Sequence, residues 1–236
     1  MRKSLLYFLA DGHQNAIKVD AQIPKAYYDN SNILIVGVQG VLCPEVYDQL
    51  QDLAEYARGA KAIEGIALLI DSPGGTVMGL FEACAALKEI GKPMMAFSSG
   101  LMASAAYAIA SCADQIYAAP SAEVGSVGAR ILHVDVSKAL NEFGIKVTEV
   151  GFGKRKTQFS PFHSLSDDDK KELESYVRES YDEFCLHVRD RRSKVKEDVF
   201  DSGLYHGGKA IDMGLIDGTL GSNKKFVEFA KKVLHK

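Results

Sequence analysis

Residues 65–75 read GIALLIDSPGG, and this stretch decides how the rest of the chain is understood. From Gly65 to Ile70 the run is apolar without interruption, and it is too short to make a helix face. It therefore reads as a strand buried on both sides. At Asp71-Ser72-Pro73-Gly74-Gly75 the pattern breaks sharply. A helical pattern follows over 76–90, with Val77, Leu80, Ala83, Cys84 and Leu87 on one side. Gly91 closes that helix and Pro93 opens a further strand over 94–97. Upstream, ILIVGV at 33–38 is another β-branched strand. It precedes a helix over 44–60 whose apolar face is Val46, Leu50, Leu53, Ala54 and Ala57. Pro44 suits the first turn of that helix, where its missing N–H is no loss. Strand–helix alternation of this kind predicts βαβ units and a mainly parallel sheet in an α/β fold.

Further along, SSGLMASAAYAIASCADQIYAAP (98–120) is unusually rich in small residues. It predicts a closely packed, buried helix over 103–112 and a strand over 115–118. VGSVG at 124–128 reads as a glycine-bounded loop. A short helix over 137–143, closed by Gly144, leads to a strand over 145–150. The basic, irregular GFGKRKTQFSP follows at 151–161. Ser166 caps a long helix reaching about Arg192, with Asp167, Asp168 and Asp169 at its positive end. A helix near 207–213 and a last, Lys-rich helix from Ser222 complete the chain.

The bulk properties set bounds. The 236 residues are 47% hydrophobic and 25% charged, the mix of a soluble globular chain rather than a disordered one. Lys and Arg number 28 against 31 Asp and Glu, a net charge of -3 that argues for neither nucleic acid nor an anionic membrane as partner. The chain contains no apolar run long enough for a membrane span. MRKSLLYFLADG at the N-terminus superficially resembles a signal peptide, but its apolar run is short and Asp11 follows at once. It reads as a short strand or arm. Cys43, Cys84, Cys112 and Cys185 are scattered, without CxxC or Cys/His ligand spacing, and read as reduced thiols with no metal site.

Three places are candidates for chemistry. The Ser72-Pro73-Gly74-Gly75 break leaves the end of a parallel strand, where ligand sites of open α/β sheets gather, and its glycines free backbone N–H groups for an oxyanion. Ser104 stands at the start of the small-residue helix, where a serine is ordinarily an N-cap. The 153–156 loop, GKRK, carries Lys154 and Lys156, which nothing local distinguishes. Competing motifs are missing: no GxSxG elbow and no GK[ST] phosphate loop occur, and His133, His163, His187 and His206 lack paired metal spacing.

Taken together, DSPGG at 71–75, GLMASAAYAIAS at 100–111, VGSVG at 124–128 and GKRKTQFSPF at 153–162 resemble the S49 serine peptidases in order and spacing. That family includes bacterial signal peptide peptidase A and the capsid assembly proteases of tailed phages. The SAAY form at 104–107, the compact length and the missing anchor look closer to the phage or prophage branch. The resemblance implies a ClpP/crotonase-like fold of repeated ββα units with a mainly parallel sheet. It implies a peptidase domain over 31–221, an N-terminal arm over 1–30 and a C-terminal Lys-rich helix over 222–236.

By match to the family motifs, Ser104 is the nucleophile and Lys156 the general base. The N–H groups of Gly75 and of Ala105, or alternatively Ser104, form the oxyanion hole, and Ser126 orients the lysine. A serine hydroxyl needs a base to take its proton. A lysine is that base only as a neutral amine, which burial favours. The absence of a carboxylate over 151–164 fits this requirement. No metal or organic cofactor is required. The implied protein is an endopeptidase of the host cytoplasm or forming phage head that acts on scaffold or capsid polypeptide. It assembles as a homo-oligomeric ring in which serine and lysine can come from adjacent protomers, and it has capsid, scaffold or portal protein as partners. The alternatives are a soluble enzyme degrading signal-peptide remnants, a non-proteolytic assembly factor and a crotonase-type acyl-CoA enzyme.

Overall fold

The structure is a computed structural model that describes residues 25–28, 32–153 and 155–234. Most of the 1–30 arm and Lys154 lie outside the described residues. The chain divides into one unit containing the residues up to Gly128 and from Phe184 onward, and a second unit, Ala129–Glu183.

In the first unit the elements run β1 (Lys25–Tyr28), β2 (Ile33–Leu42), α1 (Pro44–Gly59), β3 (Gly65–Gly75), α2 (Leu80–Glu89), β4 (Met94–Ser98), β5 (Leu101–Ala103), α3 (Ala105–Ala110), β6 (Gln115–Ala118) and β7 (Glu123–Gly125). In the second unit are α4 (Ser137–Glu142) and the first turns of α5 (Asp167–Arg191), whose end returns to the first unit. A 3-10 turn at Glu197–Asp201, β8 (Leu204–His206), α6 (Gly207–Asp212), β9 (Gly218–Thr219) and α7 (Asn223–Leu234) follow.

The sheet is mainly parallel, as the alternation predicts. Strands β2, β3, β4, β6 and β9 run parallel in that spatial order, with β1 antiparallel on the outer side of β2. The long β3 also serves a shorter layer: Ser72 pairs with Met102 of β5, β5 pairs in parallel with β7, and β8 closes that layer antiparallel. Both layers therefore meet along β3, and the DSPGG end of that strand lies beside the end of β5.

Apolar burial holds these layers. Ile33 to Val36 and Ile66 to Leu68 are almost fully buried, as expected for parallel strands covered on both faces. Every residue of α3 is buried. Its alanines allow close backbone approach, and Tyr107 satisfies its phenol by donating to the Leu215 carbonyl at 2.8 Å. The Lys-rich helix packs on the sheet. In α7, Phe226 stacks on Phe97 of β4 with ring centroids 5.1 Å apart. Burying one such phenylalanine contributes about 2–3 kcal/mol.

The element boundaries differ from the sequence reading at three functionally relevant places. The strand expected to stop at Ile70 continues through Gly75, because Val41 and Leu42 of β2 pair with Gly74 and Gly75 after an irregularity at 39–41. The helix expected from Thr76 starts at Leu80, after Gly79 in a left-handed conformation (φ 85°). Gly74 and Gly75 therefore end a strand rather than begin a helix. VGSVG is not wholly a loop, since Val124 and Gly125 belong to β7.

The second unit is built differently. Its expected strand over 145–150 does not form: these residues pair with no strand and are all exposed. A β-branched run becomes a strand only where a neighbour satisfies its backbone. Ser160 is the one buried residue among those described from 129 to 183. Local polar bonds order the unit instead. The Ser166 hydroxyl accepts the Asp169 N–H at 3.1 Å while the Asp169 carboxylate accepts the Ser166 N–H at 2.9 Å, a reciprocal cap that starts α5.

Candidate active site

Ser104 joins β5 to α3 in a conformation that L-residues avoid, φ 54° and ψ -127°. Three neighbours hold it there. Its N–H donates to the Gly125 carbonyl at 2.9 Å, and its own carbonyl accepts the Tyr107 N–H at 2.8 Å. On the third side stands Gly74, itself at φ 93°. A Cβ on Gly74 would lie 2.7 Å from the Ser104 Cβ and 2.9 Å from the Ala105 nitrogen. Ser104 makes no side-chain cap bond to α3. The ordinary reading of a serine before a helix, the N-cap, is therefore not what this hydroxyl does. Backbone strain of this kind, fixed from several directions, is characteristic of functional turns.

The DSPGG residues build the wall facing this turn. Ser72 is fully buried, donates its hydroxyl to the Gly40 carbonyl at 2.6 Å and accepts the Gly74 N–H at 3.0 Å. Asp71 reaches across to the start of β5, where its Oδ1 accepts the Leu101 N–H at 3.0 Å. Gly75 backs onto the Leu42 carbonyl so closely that any side chain would collide with it. The N–H groups of Ser104 and Gly74 already have acceptors, the Gly125 carbonyl and the Ser72 hydroxyl. Ala105 N–H is the first of α3 and has no carbonyl within the helix to bond.

Ser126 stands one residue beyond β7, and Ser104 stands one residue beyond β5. The pairing of Ala103 with Gly125 makes the two serines adjacent strand ends. Ser126 also has positive φ (53°), held by its N–H bond to the Gly203 carbonyl at 2.8 Å. Gly74, Gly75, Ser104, Ala105 and Ser126 thus come together at one end of the parallel strands of the first unit. Lys156 belongs to the second unit, in the turn over 155–159. Its N–H donates to the Gly153 carbonyl at 3.1 Å, and its side chain is exposed.

The profile of Peptidase family S49 matches residues 86–235, well over half of the chain, and spans Ser104, Ser126 and Lys156. The chain belongs to peptidase family S49. A Clp protease profile matches residues 26–125, including Gly75 and Ser104. Among curated relatives of this S49 chain, a Methanocaldococcus jannaschii protein named as a protease is 30% identical over 66% of this chain and 52% of its own length. An Enterococcus faecium protein named as the signal peptide peptidase SppA is 28% identical over 73% of this chain and 52% of its own. Capsid assembly protease C of Escherichia phage lambda is 30% identical over 68% of this chain and 37% of its own. The chain thus spans about half of these relatives' length or less. A crystal structure of an enoyl-CoA hydratase/isomerase family member superposes with TM-score 0.53 at 13% identity, covering 90% of this chain and 75% of that one. At that identity the likeness shows the fold alone, and that fold is of the ClpP/crotonase type.

The sequence marks Asp71 and Ser72 as parts of the DSPGG motif but assigns neither side chain a role of its own. Their roles depend on partners distant in sequence, Leu101 and Gly40, which spacing alone does not reveal. Among the described residues no helix is long and apolar enough to cross a membrane.

Proposed function

We propose that this S49 chain hydrolyses peptide bonds with Ser104 as nucleophile and Lys156 as general base. The backbone of Ser104 carries the reading: positive φ, a fixed N–H and a hydroxyl not spent on capping α3. In the proposed cycle Ser104 Oγ attacks the scissile carbonyl carbon as the Lys156 amine takes its proton. The oxyanion is received by the N–H groups of Gly75 and Ala105, each donor being worth roughly 3 kcal/mol in the transition state. The ammonium of Lys156 then protonates the leaving amine, and water repeats the sequence on the acyl-enzyme. Ser126 orients the lysine. No step calls on a metal or organic cofactor.

The exposure of Lys156 bears on how the base works. Burial favours the neutral form of a lysine, so in this reading a further surface covers the Lys156 amine. The second unit offers such a surface a seat. Val150, which ends the unpaired run over 145–150, is 88% exposed, and Phe152 just beyond it is 97% exposed. We read this apolar face as the contact between copies of the chain, so that the site is completed by assembly into a homo-oligomeric ring. The likeness to the lambda capsid assembly protease supports scaffold or capsid polypeptide as substrate, in a host cytoplasm or forming head. The likeness to the protein named SppA supports a second reading, the degradation of signal-peptide remnants.

A peptide-library digest comparing wild type with Ser104→Ala and Lys156→Ala tests the proposal. Cleavage that disappears in both variants is expected. Cleavage that survives Ser104→Ala overturns the assignment.

A further inference from the structure

A group of soft ligands converges away from Ser104, at the other end of α3. Sγ of Cys84 on α2, Sγ of Cys112 just after α3 and a ring nitrogen of His187 on α5 all lie within 4.8 Å of one another. All three residues belong to the first unit. Cys84 is buried, whereas Cys112 and His187 are half-buried. We propose that Cys84, Cys112 and His187 form a binding site for a thiophilic divalent cation of the zinc class.

The tautomer of His187 is the independent support. Its Nε2 lies 3.0 Å from the Ala108 carbonyl and 2.9 Å from the Ser111 hydroxyl, and that hydroxyl donates its own proton to Ala108 O at 2.7 Å. Nε2 faces two oxygens whose lone pairs need a donor, so Nε2 carries the proton. Nδ1 is then left with a lone pair. A metal-binding histidine is usually held this way, its second N–H fixed by a backbone carbonyl. The ring is further seated by Phe81, with centroids 5.7 Å apart.

The donor set selects the ion. Two thiols and one imidazole suit zinc, which takes Zn–S bonds of about 2.3 Å and Zn–N bonds of about 2.0 Å in a tetrahedron. A spread within 4.8 Å needs only a small contraction to meet these lengths. Such an ion would tie α2, α5 and the end of α3 together. It would act as a brace behind the helix that starts at Ser104 rather than as part of peptide hydrolysis.

Cobalt(II) is the probe. The reduced full chain is stripped with chelator and titrated with Co²⁺. The expected result is a sulfur-to-cobalt charge-transfer band saturating at about one ion per chain, which displacement by Zn²⁺ removes. The band should be lost in Cys112→Ser and kept in Cys43→Ser. In a second measurement on the wild type alone, Zn²⁺ should shield two thiols from a thiol reagent and raise the melting temperature. Absence of the band, an unchanged band in Cys112→Ser, or equal thiol reactivity with and without Zn²⁺ would each overturn the site. None of these readouts depends on peptidase activity.

Discussion

The Cα of Gly74 stands directly against the Cβ of Ser104, so that even one methyl group on Gly74 would lie 2.7 Å from it. Two positive-φ residues, one in β3 and one just after β5, thus brace each other at the junction of the two sheet layers. Neither conformation is relaxed by itself, and each is maintained by what surrounds it.

Gly74→Ala should therefore harm both fold and activity. The new side chain meets positive φ and also the Ala103 carbonyl and Ala105 nitrogen, each at 2.9 Å. Strain and overpacking together predict a loss of about 2–4 kcal/mol. Gly144, at φ 73° with open space around its Cα, is the control, and Gly144→Ala should cost about 1 kcal/mol. Urea midpoints for the two variants check this difference.

Asp71→Ala tests the wall from the other side. It removes the acceptor of the Leu101 N–H. A loss of about 1–2 kcal/mol is expected, with a fall in activity larger than the fraction unfolded explains. Equal losses of activity and folded population would mean that Asp71 merely supports stability.

Much of this architecture was legible in the sequence because it depends on local pattern. The apolar runs at 33–38 and 65–70 forced buried parallel strands, and Gln115 to Ala118 forms the strand its pattern predicts. Ser166 and its acids start α5 as capping chemistry requires. What could not be read depended on partners. Whether Gly75 ended a strand or began a helix was decided by Leu42, and whether 145–150 became a strand was decided by the lack of a neighbour. Local pattern made Ser104 an N-cap. The motifs in register pointed instead to a nucleophile, a reading to which the backbone adds its φ of 54°. Cys84, Cys112 and His187 lie on separate elements, so no spacing rule could join them.

Assembly should be required for activity if the exposed apolar face of the second unit joins copies of the chain. Val150→Asp alters a side chain that is 88% exposed, so the fold of a single chain should change by less than about 0.5 kcal/mol. Sedimentation should show smaller species, and peptidase activity should fall by at least about tenfold. A wild type that sediments as a monomer and is fully active would contradict the assembly reading.

The second unit also carries a pH signature. The Asp135 carboxyl is held down to about 2, first by the Ser137 hydroxyl and then by the Ser164 hydroxyl. A depressed carboxyl contributes its stabilisation above the ordinary carboxylate range and loses it as pH falls through its folded value. Its titration, followed by carboxyl carbon NMR, should have a midpoint near 2 and move upward in Ser164→Ala. A wild-type midpoint at the ordinary value of about 3.9 would show that the hydroxyls do not hold it in solution.

The central claim concerns one hydroxyl. Treatment of the full chain with a serine-directed fluorophosphonate, followed by peptide mapping in a mass spectrometer, tests it most directly. Ser104 should carry the label stoichiometrically as peptidase activity is lost, and Ser104→Ala should take up none. Labelling at another serine with the same loss of activity, or undiminished labelling of Ser104→Ala, would contradict the account.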